Sequence, residues 1–243
     1  MPFFTVVIPV YNERDNLGPL LDEIARRLAG TDYEVVAVDD GSSDGSLGQL
    51  EHLTERHPTL RIVALQRHAG QSAALMAGFE AASGSLVVTM DADGQNDPAD
   101  IPALLQRLES DPRLAAVVGY RAVRADSSWK RLQSGVANAV RNYLTGEIVR
   151  DTGCPLKAIR REALLALPRF EGMHRFYPTL IRLAGGDVVE VPVSHRPRFS
   201  GVSKYGMRNR ALRALRDALG VRWLGSRALR YQVKEVVDSD ARK

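Results

Sequence analysis

Short apolar runs alternate with helical patterns through the first half of the chain. Phe4–Pro9 and Leu86–Met90 are continuous apolar stretches of strand length, and Tyr33–Asp39, Arg61–Leu65 and Ala115–Tyr120 share their β-branched character. Between them Leu17, Leu20, Leu21, Ile24 and Leu28 fall on one helical face, with Asp15 as the expected cap. Leu47, Leu50 and Leu53 mark a second helix, Gln71–Ala82 a third and Ile101–Leu108 a fourth. Buried strands joined through helices predict an α/β fold: a doubly wound, mostly parallel sheet with helices on both faces. Beyond Tyr120 the rhythm changes. A helix is expected at Lys130–Leu144, strands at Pro155–Ile159 and Val188–Val193, and a loop at His195–Tyr205. Arg208–Val236 then shows a basic amphipathic pattern, with Leu212, Leu215, Leu219, Trp223, Leu224 and Leu229 set among arginines.

Composition narrows the class. With 243 residues, 44% hydrophobic, 26% charged and a net charge of +4, the chain suits one globular domain with a short appendage, not general disorder. Cys154 is its only cysteine, which excludes a disulfide scaffold and fits a reducing compartment. No stretch free of Asp, Glu, Lys and Arg exceeds 12 residues. A spanning helix needs about 20 apolar residues. The opening Met-Pro-Phe-Phe-Thr also lacks the basic start of a signal peptide. Charge is uneven: Arg196–Lys243 holds 13 basic and 4 acidic residues, the preceding 195 residues 20 and 25. A basic tail on a mildly acidic body points to an anionic partner.

Common nucleotide fingerprints are absent: no G-x-G-x-x-G follows the first strand, and no P-loop occurs. Ligands of doubly wound sheets bind beyond the carboxyl ends of the strands. Polar residues cluster there, at Tyr11–Glu13, Asp39–Asp44, His68–Gln71 and Asp91–Gln95. Asp91 and Asp93 are two apart on extended backbone, so both carboxylates can face one ligand. With Gln95 available, they suit a hard divalent cation, Mg²⁺ or Mn²⁺, that bridges phosphates. The other reading is a polar turn whose Asp caps the next helix. Asp39 and Asp40 end a buried strand and need partners; a base or ribose would supply donors for one of them, and the other reading is a turn before a helix capped by Ser43 or Asp44.

These stretches resemble the inverting family-2 glycosyltransferases of the GT-A fold. The likeness runs through Val7-Ile8-Pro9-Val10-Tyr11-Asn12-Glu13, Val38–Asp44 and Asp91-Ala92-Asp93. Asp91–Pro98, Asp151–Lys157, His195-Arg196-Pro197-Arg198 and Gly201–Tyr205 are similar to the polyprenyl-phosphate sugar synthases, which include dolichol-phosphate mannose synthase. The resemblance implies a nucleoside-diphosphate sugar, GDP-mannose or a UDP-sugar, lined by Pro9, Tyr11, Glu13, Asp40, Gln71, Asp91 and Ala92. His68 stands where the family often has Asn, and is expected only to pack. The resemblance further implies a catalytic unit at 1–206, with a nucleotide-sugar half (1–120) and an acceptor half (121–206), followed by a basic amphipathic segment at 207–243.

The residues give a separate reason to expect a lipid-phosphate acceptor. A hydroxyl acceptor needs a general base, and the Glu-Asp pair often used for it is absent. A phosphomonoester has a second pKa of ~6 and arrives anionic. Cations are available in the acceptor half. Arg121 ends a strand within reach of a diphosphate, Lys130 and Ser134 lie one helical turn apart, and Arg196 and Lys204 lie in the His195–Tyr205 loop. Asp151 would orient the sugar or pair with a basic neighbour. Arg208–Arg230 fits either an anionic bilayer surface or packing on the body. The expected setting is cytoplasmic, peripheral at the cytoplasmic membrane face, with room for a separate membrane-spanning partner. No nucleic-acid motif accompanies the charge. Two rivals remain: a polysaccharide glycosyltransferase with Asp151 as base, and an inactive nucleotide-sugar-binding scaffold.

Overall fold

The structure, a computed structural model, describes residues 3–121, 139, 141–146, 149–197 and 207–229. Strands β1 (Phe4–Val10), β2 (Tyr33–Asp39), β3 (Leu60–Ala64) and β4 (Leu86–Thr89) fall within a residue or two of the apolar runs that announce them. They alternate with α1 (Arg14–Arg27), α2 (Ser46–Leu53) and α3 (Gln71–Ala81): α1 joins the parallel pair β1–β2, α2 the pair β2–β3, and α3 carries the chain back from β3 to β4 beside β1. After α4 (Ile101–Glu109) come β5 (Leu114–Arg121), β6 (Lys157–Arg160), α5 (Arg161–Leu165), α6 (Tyr177–Leu183), β7 (Asp187–Val193) and α7 (Met207–Ser226). The sheet order is β3-β2-β1-β4-β6-β5-β7. Among the described strands only β6 runs against the rest, wedged between β4 and β5.

Two apolar layers cover the sheet. Val6, Ile8, Val35 and Val88 pack with Leu17, Leu20 and Ile24 of α1, Leu50 of α2 and Leu104 of α4. On the other face Val7, Val36, Val87 and Ile159 meet Leu75 and Phe79 of α3, Leu164 of α5, Leu180 of α6 and Val221 of α7. Helix α3 lies so close that a Cβ on Gly78 would stand 2.3 Å from Val7 Cγ1. At α1 the expected cap is displaced: Glu13 takes the N-cap position and Asp15 falls in the first turn. There its charge still favours the helix's positive end.

Candidate active site

The loops leaving β1, β2, β3 and β4 meet at the carboxyl edge of the sheet, bound to one another through short polar contacts. Asn12 adopts a left-handed φ of 55°. Its backbone N–H donates to Ser42 Oγ (2.9 Å), and its side-chain oxygen accepts from the Ser43 N–H (2.7 Å). The N–H groups of Glu13 and Arg14 donate to Ser46 Oγ and Asp44 Oδ2. Burial would push the Asp44 carboxyl up, but bonds from Ser46 and the Arg14 backbone outweigh it and hold it below the usual carboxylate range. Glu13 itself accepts from the Asn16 amide.

Asp40 is buried and anchors the next loop. Its oxygens accept from the N–H groups of Ala69 (2.7 Å) and Gly70 (2.9 Å), and His68 Nδ1 lies 2.9 Å from Oδ2. His68 does more than pack: its ring also stacks on Tyr11 with centroids 4.0 Å apart. Gly41 lets the loop backbone come this close, because a Cβ there would stand 2.6 Å from the His68 backbone nitrogen. Asp39 accepts from the Ser42 N–H through Oδ2, while its buried Oδ1 has no hydrogen-bond partner. A buried carboxylate oxygen in that state calls for a donor.

At the end of β4, Gln71 Nε2 donates to Asp91 Oδ1 (3.0 Å) and the Gln95 N–H to Asp93 Oδ1 (3.0 Å). Beside them Arg121 forks onto Asp151. Its Nε donates to Oδ2 at 2.6 Å and its Nη2 to Oδ1 at 3.0 Å, with the two side chains 16% and 7% exposed. Ser72, next to Gln71, accepts from the Gly172 N–H, and its Oγ lies 2.7 Å from His174 Nδ1. That contact brings the segment before α6 to the same edge.

Residues 5–167 match the Glycosyl transferase family 2 model. The chain belongs to this family. It is 36% identical over 236 residues to a dodecaprenyl-phosphate galacturonate synthase of Rhizobium johnstonii, covering 95% of this chain and 68% of that protein. Over 209 residues it is 41% identical to an undecaprenyl-phosphate 4-deoxy-4-formamido-L-arabinose transferase of Edwardsiella ictaluri, covering 84% and 63%. The chain thus spans about two thirds of these relatives' length. A mannosyltransferase from Pyrobaculum calidifontis, solved with GDP-Man and Mn²⁺, superposes with a TM-score of 0.64 at 23% identity, over 92% of this chain and 70% of that one. Glucosyl-3-phosphoglycerate synthase from Mycobacterium tuberculosis, solved with UDP, gives 0.69 at 21%, over 90% and 81%. At these identities the likeness shows the fold, which is GT-A.

In this family-2 chain the expected residues divide into three groups. Tyr11, Glu13, Asp40, Gln71, Asp91, Asp93, Arg121 and Asp151 stand together at the carboxyl edge of the sheet. Pro9 lies inside β1, in register with Val38, and the Ala92 side chain is buried in the core, so only its backbone faces the loop. Arg196, expected on the acceptor phosphate, is bound elsewhere: its guanidinium holds Glu23 (2.8 Å) and Asp97. Gln95, expected on the metal, donates its side-chain amide to the Arg196 carbonyl (3.4 Å). Together with the Arg196 N–H to Gln95 carbonyl bond (3.0 Å), these contacts clasp the Asp91–Asp97 loop to the segment after β7. Lys130, Ser134 and Lys204 lie outside the described residues. Lys157, not foreseen, is buried at the start of β6. A lysine inside the apolar run Pro155–Ile159 was the available signal.

Proposed function

We propose that the chain moves a sugar from a nucleoside-diphosphate sugar to a polyprenyl phosphate with inversion at the anomeric carbon. The observation that carries the acceptor class is the Arg121–Asp151 fork. Asp151 is the carboxylate that a hydroxyl acceptor would need as its base. Two bonds from the Arg121 guanidinium, one to each oxygen, engage it with a cation instead of a hydroxyl. A phosphomonoester needs no base. Its oxygen attacks the anomeric carbon, the bond from that carbon to the diphosphate oxygen breaks, and the nucleoside diphosphate leaves from the opposite face. The names of the two relatives, both polyprenyl-phosphate enzymes, support the same acceptor.

Residues at the edge divide the work. The unpartnered Asp39 Oδ1 and the Tyr11–His68 stack favour a nucleoside beside β1 and β2. Among the described residues no group of three or more His, Cys, Asp or Glu side chains gathers to hold a metal. Asp91 and Asp93 offer hard oxygens that suit a cation completed by diphosphate, the usual arrangement for Mg²⁺ and accessible to Mn²⁺. When bound, that cation neutralises the departing diphosphate. Lys130, Ser134 and Lys204 remain the proposed contacts of the acceptor phosphate. Among the described residues no helix is long and apolar enough to cross a membrane. The acceptor's lipid is reached from the membrane surface.

UDP- and GDP-sugars incubated with a short polyprenyl phosphate or an oligosaccharide, with product mass read out, test the proposal. Glycosylated lipid phosphate is expected, lost on chelation and in Asp93→Asn and restored to the wild type by Mn²⁺. Transfer to the oligosaccharide alone would overturn it in favour of a hydroxyl acceptor, and nucleotide-sugar binding without any product would leave a scaffold.

A further inference from the structure

Arg196 lies in the segment after β7, and its guanidinium binds two carboxylates at once. Nη1 donates to Glu23 Oε1 of α1 at 2.8 Å, and Nη2 holds Asp97 Oδ2. These carboxylate side chains are 9% and 14% exposed, so salt and solvent screen them weakly. Asp97 closes the loop that begins at Asp91, and its other oxygen accepts from the Ala99 N–H (2.9 Å) in the turn leading into α4. The Arg196 backbone grips the same loop nearer its acidic pair. Its N–H donates to the Gln95 carbonyl, its carbonyl accepts from the Gln95 amide, and the Gln95 N–H donates to Asp93 Oδ1. Between these points the loop gains nothing from its own side chain. Asn96 is 1% exposed, and among the described residues neither of its amide atoms finds a hydrogen-bond partner.

Electrostatics gives the guanidinium its task. Glu23 and Asp97 meet one cation from two different elements, and without it two like charges would face each other. The end of the loop would then move off α1, taking Gln95 and Asp93 with it. A guanidinium held on both sides is also engaged away from an acceptor phosphate. We propose that Arg196 is a positioning residue of the sugar-donor site, which fixes the Asp91–Asp97 loop against α1 so that Asp93 meets metal and diphosphate in one geometry. The inference rests on reading Asp91 and Asp93 as the metal site of the donor. It moves the work of Arg196 from the acceptor to the donor.

Nucleoside diphosphate binding without acceptor tests it. UDP and GDP are titrated by calorimetry at saturating Mn²⁺ into the intact protein, below the unfolding temperature of each variant. Arg196→Met should bind the diphosphate roughly tenfold weaker, the lower end of what partners behind a metal ligand contribute. Glu23→Ala leaves Arg196 on Asp97 and should cost about threefold. Added to Arg196→Met, it removes one of the two opposed charges and should restore part of the loss. A double variant no better than Arg196→Met overturns the inference. So does unchanged affinity in Arg196→Met: a lowered melting temperature beside it would mark a mere brace, and a raised KM for short polyprenyl phosphate an acceptor contact. If Arg196→Met fails to fold, Glu23→Ala decides, and unchanged affinity there overturns the inference. Wild-type protein that binds neither Mn²⁺ nor nucleoside diphosphate would overturn the metal-site reading and this inference with it. Wild-type binding that Arg196→Met leaves unchanged removes the inference alone.

Discussion

Two charges at the Arg121–Asp151 fork sit almost out of water, and each depends on the other. Removing one partner from a buried pair leaves an uncompensated charge and costs about 3–5 kcal/mol, whereas replacing both with apolar groups is often neutral. Arg121→Met should therefore lose about that much stability in urea denaturation, and Arg121→Met with Asp151→Leu should recover most of it. Transfer should be lost in both, because the fork stands beside Asp91. If the double variant is as unstable as the sum of the singles, the charges are not coupled. At this scale the sequence is legible in residue type and strand position: Asp40, Asp91 and Asp93 follow the ends of β2 and β4, and Arg121 closes β5. Their partners were not legible. Asp40 turned out to hold the loop after β3 through Ala69, Gly70 and His68, and Arg196 holds Glu23 and Asp97. Such pairs join residues far apart in the chain, and nothing local in the sequence marks which carboxylate a given arginine will meet.

At the scale of elements, α3 is held against the sheet by the missing side chain of Gly78 and delivers Gln71 to Asp91 from its first residue. Gly78→Ala adds a methyl that meets Val7 at 2.3 Å and Val38 at 3.1 Å. Overpacking of that kind costs about 1–3 kcal/mol, more than the ~1 kcal/mol that alanine gains over glycine inside a helix. Gly220, inside α7, has nothing within 4 Å of its would-be Cβ. Gly220→Ala should stabilise the protein by up to ~1 kcal/mol while Gly78→Ala destabilises it, with thermal denaturation as the readout. Equal and positive shifts would show that α3 can move away without cost. The alternation of strands and helices up to β5 was legible because β1, β2 and β4 are buried along nearly their whole length and α1 and α4 each carry an apolar stripe. The place of β6 was not. It enters the sheet from the ligand edge, out of sequence order, and a short apolar run is the same whether it runs with its neighbours or against them.

For the whole molecule the decisive feature is how charge and apolar surface are distributed over α7. Its inner face joins the body: Ala218 and Val221 are buried, Leu224 packs beside them, and Asp217 pairs with Arg175 at 2.6 Å. That aspartate is the only acidic residue between Met207 and Leu229, and it is turned inward. The outer face shows Leu215, Leu219 and Trp223, 42%, 49% and 63% exposed and spaced four residues apart, with Arg216 and Arg222 exposed among them. Packing on the body and contact with a bilayer, set against each other by the sequence pattern, are thus compatible: the inner face packs, which leaves the outer ridge for the proposed membrane contact. An exposed apolar ridge between arginines suits an anionic membrane surface, where the proposed lipid acceptor resides. Each arginine near such a surface contributes about 1 kcal/mol, so Arg216 and Arg222 together should give roughly thirtyfold in partitioning. The intact protein is therefore expected to sediment with phosphatidylcholine vesicles that contain phosphatidylglycerol and to remain behind with phosphatidylcholine alone, and salt should weaken the binding. Tryptophan emission should shift to the blue on binding, and Trp223→Phe should abolish the shift. Leu219→Glu places a carboxylate in the middle of the ridge and should prevent sedimentation while leaving transfer to a water-soluble short-chain acceptor unchanged. Equal sedimentation with both vesicle types, or binding that survives Leu219→Glu, would show that the ridge does not meet the membrane.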